Sequence, residues 1–325
     1  MPLLLSEKDV RAVVTMDDLI AAMETALIAF STGAVAQPVR TVVDAGGRGL
    51  LGVMPAHLPV PGALGAKLVT VFPGNTAAGL PTHLATILLL DPATGELVAL
   101  LDGRYLTEAR TAAVSAVSVD LLAHEHAATL AIIGTGVQGR SHLEAITRVR
   151  AIREIRVWSP TASSRAGFLR DMQPHTTAAI FDSPSAREAV AGMEIVVLAT
   201  AAREPVIRSE WIADGTHICA VGACRPDQRE MDSPLVARAR VFVDSRAGAT
   251  SEAGDLIIPM HEGCFDASHI QGELGELAAG STPGRTSPHE ITIFKSLGMA
   301  VEDVAAAHLA FVKASERGLG RGFVL

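Results

Sequence analysis

Apolar positions change their rhythm partway along the chain. Up to residue 101 they fall in strand-length runs, at 39–43, 50–54, 64–72, 84–90 and 97–101, behind one stretch with helical spacing at 16–32. In that stretch Leu19, Ile20, Met23, Leu27 and Phe30 share a face, Thr15 caps the start, Asp17 and Asp18 occupy the first turn, and Gly33 follows the end. Strands in succession behind a single helix predict an antiparallel α+β domain. A second helix is predicted over 108–123, capped by Thr107 and rich in small residues that allow close packing between domains. From residue 130 strand and helix alternate, with strands at 130–133, 155–158, 195–200, 217–221, 241–244 and 291–294, the pattern of a doubly wound parallel sheet. A final helix, 298–317, returns the chain to the first domain. The expected fold class is α/β: a Rossmann domain at 116–297 and an α+β substrate domain at 1–115, completed by 298–325.

The Rossmann expectation rests on the run from Leu130 to Ile133, which leads into Gly134-Thr135-Gly136-Val137-Gln138-Gly139 and then into Leu143, Ile146 and Val149 at helical spacing. In Gly-x-Gly-x-x-Gly the first glycine permits the tight turn, the second lets a pyrophosphate approach the main chain, and the third lets helix pack on strand. The helix start favours the anion. A glycine-rich turn that binds nothing is the plain alternative, and the strand-turn-helix-strand order argues against it. The second strand ends Trp158-Ser159-Pro160-Thr161, without the acidic residue that would accept from a ribose 2′-hydroxyl. Glu154 lies at the wrong end of that strand and reads as a solvated charge. Ser159, Thr161 and Arg165 can instead hold a 2′-phosphate, so NADP(H) is preferred and NAD(H) remains open. Thr200 and Val221, at the ends of later strands, join residues 134–139 as expected cofactor contacts.

Composition narrows the partners. Hydrophobic residues make up 49% of the 325, yet no apolar run reaches the ~18 residues of a membrane span, so no membrane partner is expected. The opening Met1-Pro2-Leu3-Leu4-Leu5-Ser6-Glu7 lacks the basic segment of a secretory signal. A net charge of -8 without any basic block argues against nucleic acid. Cys219, Cys224 and Cys264 form no C-x-x-C pair, which suits a reducing cytoplasm and suggests neither disulfide framework nor zinc site. His124-Glu125-His126 reads as surface histidines, and no metal is expected.

Four residues of the first half stand out chemically. Lys67 shares a strand face with Val69 and Val71, where a cation is costly unless paired or functional; a lysine snorkelling at a sheet rim is the alternative. Arg40 lies in the segment 39–43, where an exposed strand residue is the ordinary reading. Arg110 is expected in the first turn of the helix capped by Thr107, followed by Thr111, a place suited to a carboxylate or a pyrophosphate. His83, just before a strand, can exchange a proton near neutral pH or serve as a hydrogen-bonded structural residue. In the second half the loop 222–230 follows the strand 217–221 and should border a nicotinamide, although its charges read equally well as solvated.

Laid out together, Gln37-Pro38-Val39-Arg40-Thr41, Lys67-Leu68-Val69-Thr70, Leu80-Pro81-Thr82-His83, the segment 110–116, the glycine turn, Val221-Gly222-Ala223-Cys224-Arg225-Pro226-Asp227 and the segment 294–303 make the chain resemble the ornithine cyclodeaminase/mu-crystallin family, over nearly its whole length. The resemblance implies a homodimer built through the first domain and a substrate α-carboxylate held by Arg40, Lys67 and Arg110. It also implies that Arg110 and Thr111 reach the cofactor phosphates and that Glu252, in an ordinary loop, lies near the substrate. Cyclodeaminases of the family carry an aspartate where this chain has Cys224, and a thiol cannot supply that charge to a side-chain amine. The Gly-Ala-x-Arg-Pro-Asp form is similar to the mu-crystallin branch, whose members reduce cyclic ketimines with NAD(P)H.

The expectation that follows is an NAD(P)H-dependent imine reductase acting on a small imino acid such as pyrroline-2-carboxylate or piperideine-2-carboxylate, with Lys67 or His83 as proton donor. Two other readings stay open: an amino acid dehydrogenase or cyclodeaminase, and a non-enzymatic NADPH-dependent binding protein of mu-crystallin type.

Overall fold

A computed structural model describes residues 1–324 and divides the chain into two compact units, Met1–Arg110 with Gly298–Leu325, and Thr111–Leu297. In chain order the elements are β1 (Leu3–Leu5), α1 (Glu7–Val13), α2 (Met16–Ser31), β2 (Thr41–Asp44), β3 (Leu50–Leu58), β4 (Ala63–Val71), β5 (His83–Leu90), β6 (Leu97–Asp102) and α3 (Arg104–Leu122). There follow β7 (Thr129–Ile133), α4 (Val137–Val149), β8 (Glu154–Trp158), α5 (Ala162–Met172), β9 (Ala179–Asp182), α6 (Ala186–Val190), β10 (Ile195–Leu198) and β11 (His217–Ala220). Then come α7 (Ser233–Arg238), β12 (Arg240–Val243), α8 (Arg246–Glu252), α9 (Gly254–His261), β13 (Ile270–Glu273), α10 (Leu274–Ala278), β14 (Thr292–Lys295), α11 (Ala300–Glu316) and β15 (Arg321–Gly322).

The first unit is a sheet in the order β15-β1-β6-β5-β4-β3-β2, antiparallel except where β1 runs parallel to β6. Burial alternates along β3, with Gly52, Met54, Ala56 and Leu58 buried and the intervening residues half-buried, so the sheet has one covered face. Helix α11 packs on β3, β4 and β5 and against α2. Thr15 caps α2 as its sequence suggests, in a reciprocal box with Asp18. The short pieces β1, α1 and β15 have too few residues to show a period and escape the sequence reading.

The second unit is an eight-stranded sheet in the order β13-β12-β14-β11-β10-β7-β8-β9, with every pairing parallel. The strand order reverses at β7, whose two neighbours are β8 and β10. Strand β14, the last in sequence, is inserted between β11 and β12. Strands β9 and β13 are additions to the expected set, at the two edges of the sheet; neither has the fully buried run of β10 and β11, β9 burying only Ile180.

One boundary is corrected. Helix α3 begins at Arg104, not after Thr107, because Asp102 Oδ1 accepts the Arg104 N–H at 3.0 Å, while the Thr107 hydroxyl donates to the Gly103 carbonyl from inside the helix. Arg110 therefore sits in the second turn of α3, away from the exposed N–H groups of the helix start.

Candidate active site

In the first unit, Lys67 and Arg110 are 2% and 3% exposed. Two carboxylates at the start of α11, Glu302 and Asp303, are wholly buried against them. Lys67 Nζ lies 2.6 Å from Asp303 Oδ2; Arg110 Nε donates to Asp303 Oδ1 at 2.9 Å and Nη1 to Glu302 Oε2 at 2.5 Å. Arg40, half-buried just before β2, donates from Nη2 to the carbonyl of Gly298 at 3.0 Å. Gly298 has φ +78°, and a Cβ there would strike the Arg110 guanidinium, so a glycine is required for this approach. Gln37 completes the seat by accepting the Val301 N–H at 2.6 Å.

Three cations, Arg40, Lys67 and Arg110, thus gather around the buried carboxylates Glu302 and Asp303. Burial foremost, with Arg110 and then Arg40 adding, lowers Lys67 to about 8, against the pull of Asp303. The lysine is a paired cation on a buried face and not a snorkelling one. His83 is exposed, with Nδ1 3.2 Å from the Thr82 hydroxyl. Across the β4–β5 ladder Lys67 faces Ile87 and Val71 faces His83, which puts His83 on the same face but about 13 Å along the strands. The structure does not bring the two together.

In the second unit the glycine turn joins β7 to α4. Gly134 has φ +112°, and a Cβ on Gly134 or Gly139 would overlap backbone carbonyls, whereas Gly136 faces open space. The start of α4 carries no side-chain cap, so its N–H groups at Val137, Gln138 and Gly139 are left to an anion. Open space at the middle glycine and an uncapped helix start fit a dinucleotide pyrophosphate. The Thr135 hydroxyl lies 2.9 Å from that of Ser159, which is 7% exposed, while Thr161 is exposed. Arg165 donates from Nε to Asp182 Oδ1 at 2.5 Å and from Nη1 to the Ser159 carbonyl at 2.7 Å. A carboxylate, Asp182 from β9, thus does stand near the end of β8, through a strand whose sequence is nearly silent. Glu154 begins β8 and, with its side chain 34% exposed, pairs with Arg156 at 2.6 Å.

Other expectations need adjustment. Glu252 is the last residue of α8, not part of a loop. Cys224 is half-buried, with its thiol donating to the Val221 carbonyl at 3.5 Å. In the loop 222–230 Glu230 is wholly buried and not solvated, and it binds the Thr200 N–H at 2.7 Å. Thr111 is 9% and Val221 8% exposed. Among the described residues no His, Cys, Asp or Glu cluster could hold a metal ion, and no helix is long and apolar enough to cross a membrane. Glu302 and Asp303 went unnoticed because two acids opening a helix ordinarily face water; only the glycine turn before them hinted at a buried approach.

The profile of the ornithine cyclodeaminase/mu-crystallin family matches residues 1–318. Ketimine reductase mu-crystallin of Mus musculus is 42% identical over 297 residues, covering 90% of this chain and 91% of its own. Delta(1)-pyrroline-2-carboxylate reductase of Bacillus cereus is 39% identical over 320 residues, covering 98% of each chain. The solved structure of Thermococcus litoralis Delta(1)-pyrroline-2-carboxylate reductase in complex with NADH and L-proline superposes with a TM-score of 0.97 at 41% identity, covering 99% of this chain and 100% of that one.

Proposed function

This chain belongs to the ornithine cyclodeaminase/mu-crystallin family, and from that premise we propose that it reduces small cyclic ketimine carboxylates, pyrroline-2-carboxylate or piperideine-2-carboxylate, to the cyclic amino acid with NAD(P)H. The observation that carries the reading is the gathering of three cations, half-buried Arg40 and buried Lys67 and Arg110, a set that suits a substrate carboxylate. Glu302 and Asp303 hold the cations in place before substrate arrives, which is the preorganisation that orients a reacting carbon.

When bound, the dihydronicotinamide supplies the hydride that the imine carbon accepts. Lys67 is the proton donor to the imine nitrogen: at about 8 it carries its proton at neutral pH and can release it without a large penalty. Its strand position beside Arg110 supports it over the exposed His83. Cys224 offers no charge to a side-chain amine, which favours a ring already closed over ornithine-type substrates. For the cofactor, the guanidinium of Arg165 supports NADP(H), whereas Asp182, the carboxylate that holds it, supports NAD(H) as well. Exposed Val42 and Val43 at 52%, Leu68 at 38% and Leu84 at 42% support a homodimer built through the sheet of the first unit.

The test is initial-rate oxidation of NADPH, and of NADH in parallel, with both cyclic imines. Saturable oxidation that yields proline or pipecolate is expected. Absence of turnover with either nucleotide overturns the proposal.

A further inference from the structure

Four charged side chains outside the cation cluster and the phosphate turn are wholly buried in the second unit, Glu230, Asp244, Asp255 and Lys295, and three of them, Glu230, Asp255 and Lys295, act on one another. Glu230 Oε1 accepts from the Thr200 N–H at 2.7 Å and its hydroxyl at 2.8 Å, and Oε2 accepts from the N–H groups of Gly222 at 2.8 Å and Ala223 at 3.2 Å. The backbone N–H groups of Glu230 and Met231 donate in turn to Asp255 Oδ1 at 2.7 and 3.1 Å. Asp255, on α9, is ion-paired through Oδ2 with Lys295 of β14 at 3.2 Å. The segment 222–231 is thereby closed on itself. The side chain near its end grips its beginning, and α9 grips the end.

What this closure holds is the region where open α/β sheets take their ligands. Thr200 and Gly222 each lie two residues past a strand, β10 and β11, and β10 borders β7 where the strand order reverses. Gly134 of the phosphate turn lies directly against this region: a Cβ on it would overlap the Ala199 carbonyl and touch Thr200 Cγ2 at 3.4 Å. A Cβ on Gly222 would overlap Thr200 and Glu230 Oε1, so the packing leaves no slack. Contact is continuous from the phosphate turn through Thr200 to Glu230.

Every partner of the Glu230 carboxyl group is a donor, so the geometry calls for the carboxylate; an acid or an amide would set a donor against donors. The charged groups around it are Asp255 from α9 and Lys295 from β14, with the Cys224 thiol beside Lys295. Burial, then Asp255, push Glu230 up to about 7, against Lys295 and the donors of Thr200. Burial pulls Lys295 down, but Asp255, Cys224 and Glu230 together carry it above its ordinary value.

Resting on the dinucleotide reading of the glycine turn, we propose that Glu230 is a positioning residue for the cofactor, whose carboxylate fixes the ends of β10 and β11 as the floor beneath the nicotinamide half. Acidification that protonates this group frees the N–H groups of Gly222 and Ala223 and loosens the nucleotide, without touching the carboxylate clamp of the first unit.

The test compares full-length wild type with Glu230→Gln, measuring dissociation constants of NADH and NADPH by nucleotide fluorescence from about pH 6 to about pH 8, and imine KM from initial rates. In wild type the cofactor Kd should rise as pH falls through about 7. In the variant it should be raised about tenfold at the alkaline end and be flat with pH, with imine KM little changed. A merely structural role would lower thermal stability without abolishing the pH dependence of nucleotide binding. A folded variant that keeps the wild-type Kd and its pH dependence overturns the proposal. Wild type that binds neither nucleotide overturns the dinucleotide reading instead. If Glu230→Gln does not fold, Glu230→Asp takes its place, keeping the charge but shortening the reach: a raised Kd that still varies with pH is expected, and an unchanged Kd overturns the proposal.

Discussion

Replacing Asp303 with asparagine tests how the cation cluster works. Asp303 is fully buried, 2.6 Å from Lys67 Nζ and 2.9 Å from Arg110 Nε. The substitution keeps shape and removes one of two negative charges, leaving Lys67 buried beside two guanidinium groups. Breaking a buried ion pair costs about 3–5 kcal/mol. If about 3 kcal/mol of that falls on the charged form of Lys67, its pKa drops by about two units. Lys67 stands at about 8 in the intact cluster, so in Asp303→Asn it would titrate near about 6 and be largely neutral at pH 7. A donor must hold its proton, so activity is present below the lysine pKa and lost as pH rises through it. The assay is the pH profile of kcat/KM for imine reduction from about pH 5 to about pH 10, with wild type and variant run on the same substrate so that its own titration cancels. The alkaline limb should move about two units toward acid, and the peak rate should fall with it. An alkaline limb that stays in place while stability drops would show that Asp303 only supports the fold and that Lys67 is not the donor.

Two further outcomes are expected. Arg165→Ala removes the guanidinium held by Asp182 and the Ser159 carbonyl; KM for NADPH should rise about tenfold with KM for NADH within about twofold, and an equal rise for both would remove Arg165 from 2′-phosphate recognition. His217 is buried, and burial first, then Arg285 and Arg150, lowers it from 6.5 to about 3. The unfolded chain therefore takes up this proton first, so the contribution is fully present above about 6.5 and is lost as pH falls toward about 3. Between pH 7 and pH 5 wild type should lose about 2 kcal/mol more stability than His217→Gln in denaturant titrations, and parallel losses would refute the assignment.

Local signals were legible and distant ones were not. The glycine turn could be read because its spacing is set within six residues, and the structure gives each glycine the surroundings its position requires. Lys67 could be read because a cation interrupting an apolar strand face is a local contradiction. Its counter-charge could not, since Asp303 comes 236 positions later (303 − 67) at the start of a helix, where acids are ordinary. Glu230 and Asp255 were hidden for a related reason: in sequence they are polar residues in a loop and a first helical turn, and only the fold closes them around backbone N–H groups. The start of α3 was misplaced because Thr107 and Asp102 both have capping chemistry, and the choice between them depends on where β6 ends. Asp182 escaped because β9 is an edge strand that buries only Ile180, without the fully buried run of the central strands.

The placement of Glu302 and Asp303 also bears on the order in which the chain is made. A ribosome adds about 5–20 residues per second, so Lys67 and Arg110 leave it roughly ten to fifty seconds before the helix that neutralises them. During that interval Lys67 on β4 and Arg110 on α3 lack Glu302 and Asp303, and the cover of β3, β4 and β5 is still missing. Throughout Thr111–Leu297, by contrast, every strand and every partner it pairs with is made before α11 begins. The parallel sheet thus needs nothing made after β14, whereas the first sheet, whose strands β3, β4 and β5 are made early, gains its covering helix only after that whole second unit.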